Sequence, residues 1–307
     1  MLHKTITLLL LLSLSLTSCA QAPQQETGLL WKISGNNLEE PSYLFGTHHL
    51  IPLSFLDSIE GLNDAFLSTK QTIGELDMEN TGEMQMQLMV ASLMPEGYSY
   101  NELLNDKDYA LLDQTLKEYV GAGLTQFEQM KPAMLNMLLS VMIYKKFYPT
   151  DQENISMDEY FQQEARNRYR QTVGLETVDE QIDVLFGSQP IEKQAQSLLC
   201  TIKHIDYGKK QMDRLVEAYH AQDLTAMAQL YEEDDPDNPC PSTQQEKDKL
   251  NKERNEKWMK QLPDLIHNKP SFIAVGCLHL VGKDGLINLL RKEGYTVEVV
   301  DIPQENG

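Results

Sequence analysis

Two stretches of this 307-residue chain end in the same pattern, Gly46-Thr47-His48-His49 and Gly276-Cys277-Leu278-His279. In each, a short apolar run stops at the glycine and an apolar residue follows the last histidine. A third apolar run, QTIGELD at 71–77, turns acidic at Glu75 and Asp77. A carboxylate at the end of a buried strand is costly unless it is paired or bound to a cation. Two imidazoles and one carboxylate are a common three-donor set for a catalytic divalent ion, with a position left for water. Glu75 and Asp77 lie two apart, so in extended chain both point to one face. The second carboxylate could then hold a ligand or take a proton from that water. The expected donors are His49, Glu75 and His279, with Asp77 beside them. His48 reads as a rim residue.

For groups 230 residues apart to meet, their strands must end on one rim. Open α/β sheets bind ligands just outside the carboxyl ends of their strands. Apolar clusters bounded by turn residues predict strands at 29–34, 42–46, 71–77, 171–175, 271–276 and 295–301. Gly-Asn-Asn at 35–37 suits a hairpin between the first two. Leu56, Ile59, Leu62 and Phe66 recur at helical spacing, as do Met130, Met134, Leu138 and Val141. The fold class is therefore α/β, with a mixed central sheet, flanking helices and a long helical middle over roughly 82–170 and 178–262. Methionines cluster in that middle, Met84, Met86 and Met89 among them. They are expected to fill a core, an apolar groove being the alternative.

The first residues read as an export signal. A basic start and an apolar run close on Leu16-Thr17-Ser18-Cys19, which resembles a bacterial lipobox. Residues 1–18 would be removed and Cys19 would carry lipid, with 19–28 as a tether to a single domain over 29–303. The protein is thus expected in the bacterial cell envelope, held to the membrane by its lipid. No other run approaches the eighteen apolar residues that a span needs. A net charge of −20 speaks against nucleic acid, which requires clustered Lys and Arg. Cys200 and Cys240 flank a helical stretch of an exported chain and are expected to pair, leaving Cys277 buried and free.

The stretches YLFGTHHL, the Glu75 strand, GLETVDEQ at 174–181, Glu253-Arg254-Asn255 and AVGCLHLVGKDGLINLLRKEGYTVEVV at 274–300 resemble the TraB/GumN family, which includes the Tiki proteins. The resemblance runs from about residue 29 to 302. The family's signature, two GxxH motifs and a strand glutamate, falls on Gly46 and His49, Glu75, and Gly276 and His279. It implies a mixed sheet with flanking helices, similar to the haem-binding ChaN-like and the erythromycin-esterase-like proteins. It also implies a metal-dependent peptidase of the manganese or cobalt type, zinc suiting the same donors. Its pattern further touches Glu176, Arg254 and Asn255. Arg254 could stabilise an oxyanion or form a structural ion pair with a buried carboxylate. The leading expectation is a lipid-anchored, metal-dependent hydrolase acting on a peptide or protein. Metal or haem binding without turnover, and ester cleavage on the same His/Glu frame, are the alternatives.

Overall fold

A computed structural model describes residues 27–150, 155–187 and 189–300. Cys19, the 1–18 leader and the tether up to residue 26 lie outside the described residues, as do 301–303 of the expected domain.

The six predicted strands are present as β1 (Leu30–Gly35), β2 (Ser42–Thr47), β3 (Gln71–Gly74), β4 (Gln171–Gly174), β5 (Ser271–Gly276) and β6 (Tyr295–Val299). They form one sheet in the order β4-β3-β5-β2-β1-β6. The first four in that order are mutually parallel, and β1 runs antiparallel to both of its neighbours. The β1–β2 hairpin turns through Gly35, Asn36 and Asn37, all at positive φ. Asparagine tolerates that left-handed region better than most side-chain-bearing residues. β5 lies at the centre with Ser271 through Val275 buried, and its run FIAV is apolar without alternation, as expected of a parallel strand covered on both faces.

β3 is three residues shorter than predicted, and the cause is Gln162. Its amide nitrogen donates to the Leu76 carbonyl at 2.7 Å and its amide oxygen accepts from the Met78 N–H at 2.8 Å. A side chain from the Met157–Asn167 helix thus takes backbone groups that a longer ladder would have used. The alternation rule therefore fails at 75–77, and Glu75 and Asp77 part company.

Two cores result. The larger surrounds the sheet, where Phe45, Phe66, Phe161 and Phe272 pack ring against ring. Fully burying each such ring stabilises by roughly 1.5–3 kcal/mol. The smaller joins the Asp106–Tyr119, Pro132–Phe147 and Ile191–Lys203 helices through Leu112, Leu116, Leu135, Leu139 and Leu198. The Cys200–Cys240 disulfide ties the last of these helices to the 239–241 loop, and Cys277 is free and buried. Not all the methionines fill a core. The Thr81–Ala91 helix has no buried residue, and Met86 and Met89 are 64% and 61% exposed. Among the described residues no helix is long and apolar enough to cross a membrane.

Candidate active site

The sheet register brings the predicted residues to one rim. Thr47 stands opposite Gly276, and Gly74 opposite both Ala274 and Gly174, so four parallel strands end nearly level. Their continuations carry His49, His279, Glu75 and Glu176. The two motif glycines are needed for close approach. A Cβ on Gly46 would lie 3.1 Å from the Cα and Cβ of Cys277, and one on Gly276 would lie 3.2 Å from Glu75 Oε1. The Gly276 N–H instead donates to that oxygen at 2.9 Å.

His279 is buried and its tautomer is set by Asn255. The Asn255 Nδ2 donates to the carbonyls of His279 and Asp284 and to Asn251 Oδ1, which leaves Oδ1 to accept the His279 Nδ1–H at 2.8 Å. Nε2 is then a lone pair. It accepts from Arg254 Nη1 at 2.9 Å and lies 3.7 Å from Glu75 Oε1. Burial lowers the pKa of His279 to about 4, so the ring is neutral at physiological pH.

Arg254, on the Lys252–Trp258 helix, is the hub. Its Nη2 donates to Glu75 Oε2 at 2.5 Å and to Glu176 Oε1 at 2.6 Å, and its Nε to Glu176 Oε2 at 3.0 Å. Its guanidinium lies 4.8 Å from the centre of the Trp258 ring. Of the two readings of Arg254, the ion pair with a buried carboxylate is present, and Glu176 is its more deeply buried partner. Burial pushes the Glu75 pKa up, but His279, Arg254 and His49, with the Gly276 amide, outweigh it and hold the carboxyl at about 2. At neutral pH, with His279 uncharged, Arg254 is the standing counter-charge.

His49 stands at the open side, its side chain 63% exposed. Its Nδ1 meets Asp158 Oδ2 at 2.8 Å, and Asp158 Oδ1 accepts from Thr47 Oγ1 at 2.7 Å. The Asp158 charge and this hydrogen bond raise the His49 pKa to about 9. Solvent reaches the exposed ring and screens the pair. Sequence reasoning missed Asp158. The signal was there: Asp158 shares the 158, 161, 162, 165 stripe with Phe161, Gln162 and Ala165, all buried. Asp77 does not join the cluster. It is exposed, and its Oδ1 accepts from Thr172 Oγ1 and from the Glu79 N–H. His48 packs its ring against Tyr219 and Tyr144 and takes the Leu50 N–H on Nδ1.

A model of the TraB/PrgY/gumN family matches residues 29–299. The chain belongs to the TraB/PrgY/gumN family. Similar relatives include the human metalloprotease TIKI1, 26% identical over 334 residues that cover 92% of this chain and 64% of that protein. The zebrafish (Danio rerio) metalloprotease TIKI2 is 26% identical, covering 90% of this chain and 61% of its own. A metalloprotease TIKI homolog of Nematostella vectensis is 24% identical, covering 86% and 66%. The chain thus spans less than two thirds of the length of these relatives. No solved structure matches it significantly.

Whether this TraB/PrgY/gumN site suits a metal ion depends on its donors. Among the described residues no three His, Cys, Asp or Glu side chains stand together at metal-holding spacing. The donor chemistry nevertheless fits. Both imidazoles have Nδ1 committed to an outer partner, Asp158 or Asn255, the arrangement that orients metal-binding histidines. Glu75 is ionised, and its Oε1 is near the His279 lone pair. A cation already bridges His279 and Glu75, the Arg254 guanidinium.

Proposed function

We propose that this protein is a lipid-anchored, divalent-metal-dependent hydrolase that cleaves peptide bonds outside the cytoplasm. One observation carries the reading: the His279 Nε2 lone pair is held 3.7 Å from an ionised carboxylate, on a rim shared by four strand ends. The relatives' name, metalloprotease, supports a polypeptide substrate and a metal. His49, Glu75 and His279 would hold the ion. When bound, such an ion supplies Lewis acidity and makes water a nucleophile at neutral pH.

The chain's own residues do the rest. Asn255 keeps the proton of His279 on Nδ1, and Asp158 orients His49. Glu75, ionised at neutral pH, would serve as a ligand rather than a base. With His279 Nε2 given to an ion, Arg254 would be free of that contact, and its Nη groups would be placed to meet the negative charge that develops on the scissile carbonyl oxygen. The Leu16-Thr17-Ser18-Cys19 ending supports acylation of Cys19.

A neutral His279 and a protonated His49 on the same rim favour a second reading, hydrolysis without an ion. With Arg254 turned off Nε2, neutral His279 would take a proton from water there, and protonated His49 would give one to the leaving group. Digestion of a peptide library in chelator, with and without added manganese, cobalt or zinc, separates the two. Cleavage lost in chelator and restored by an ion supports the first, and cleavage that persists supports the second. An ion bound tightly with no cleavage overturns both in favour of a binding protein.

A further inference from the structure

The chain enters the fold at the rim that carries the site. β1 is antiparallel to β2, so its beginning lies beside the end of β2. The Leu29 carbonyl accepts the N–H of Gly46, the glycine that opens the His49 loop, at 3.0 Å. Thr27, the first described residue, is bridged to Asp223. Seven residues, 20 to 26, separate Thr27 from Cys19, and the eight steps between the two reach at most about 28 Å fully extended. A compact chain of this length is roughly 48 Å across. A lipid on Cys19 therefore cannot leave the rim on the far side of the molecule from the membrane.

The same rim carries an apolar surface that no described residue covers. Six residues after Glu75, the Thr81–Ala91 helix begins. It leans on the Val178–Ile182 helix, which follows β4 in the same way. Met86, Met89 and Val90, continued by Leu93 just past the helix end, form a stripe at i, i+3, i+4 and i+7 and are 48–64% exposed. Glu83 is the only charged residue in the helix. Contiguous exposed apolar side chains of this kind mark a contact with another apolar body.

We propose that the rim faces the membrane, with the Met86–Met89–Val90–Leu93 stripe seated on the bilayer surface. This rests on the lipid-anchor reading of Cys19. The site would then open onto the layer just above the headgroups. Its substrates would be polypeptides that lie on the membrane or emerge from it. The strongly acidic chain favours zwitterionic over anionic lipid, since its own charge opposes an anionic surface.

The test uses the full chain, made with its leader and placed in vesicles of phosphatidylethanolamine and phosphatidylcholine that contain a photo-activatable lipid. Mass spectrometry reads both Cys19 acylation and the labelled residues. Labelling is expected on 81–93, falling to background in the Met86→Glu, Met89→Glu double variant while acylation is unchanged. An acylated protein labelled elsewhere overturns the docking and leaves the anchor standing. An unacylated protein that does not bind vesicles overturns both. Cross-links between the 81–91 helices of two copies, in place of lipid labelling, overturn it in favour of self-association. None of these readouts requires catalysis, so failure of the hydrolase reading is seen separately.

Discussion

Arg254 Nη1 stands 2.9 Å from His279 Nε2, so a guanidinium holds the lone pair that a bound ion would need. The same guanidinium is ion-paired with both Glu75 and Glu176. Protein cation and metal cation are therefore alternatives for the same acceptors, and the competition can be measured.

Arg254→Gln should destabilise the chain in chelator by about 3–5 kcal/mol, because two buried carboxylates lose their counter-charge. Added divalent ion should restore much of that loss in the variant and raise the melting temperature of wild type by less. Equal melting of both proteins in chelator would show that the network is not holding the fold.

Asp158→Asn should bring the His49 pKa down from about 9 toward its ordinary value, followed by NMR titration of the imidazole. If Asp158 orients a ligand, metal affinity should fall by about 10–100-fold. An unchanged affinity would place His49 outside the donor set.

In chelator, stability should peak near pH 6.5 and fall on both sides. His48 and His279 titrate at about 4 when folded and near 6.5 when unfolded. Between those values the unfolded chain binds more protons, so stability is lost as pH falls from 6.5 to 4, with roughly 3 kcal/mol from the buried His279. Glu75 extends the acid loss toward its folded pKa of about 2. His49 runs the other way. Its contribution is complete below 6.5 and is lost as pH rises through about 9, though exposure reduces its size. Urea denaturation across this range gives the curve, and a maximum well above pH 8 would contradict it.

Replacing Cys200 and Cys240 together with Ser opens a 40-residue loop and should cost about 4 kcal/mol in the chain-entropy picture. The smaller helical core should open first, which hydrogen exchange over the Pro132–Phe147 and Ile191–Lys203 helices would report.

Much of this was legible in the sequence. The six strands showed as apolar runs ended by turn residues, and the two GxxH loops announced themselves by glycine at a strand end followed by histidine. Asp158 did not, because in a helix that also carries Glu159 and Glu164 an acidic residue looks solvated until its burial, 5% exposed, is known. Asp77 was misplaced because alternation was applied past the point where Gln162 ends the ladder. Met86 and Met89 resisted reading for a different reason. Methionine suits core and contact surface equally, so its composition alone does not say which.

The position of β5 has a consequence for the order in which the protein can be made. The central strand of the sheet is nearly the last to leave the ribosome, and it is the strand that joins β2 to β3. Before residue 276 is available, the β1–β2 hairpin and the β3–β4 pair share no strand, and the sheet cannot close. Contacts of such long sequence range are slow to form. A chain that stays open until it is almost complete is well suited to being threaded unfolded across a membrane.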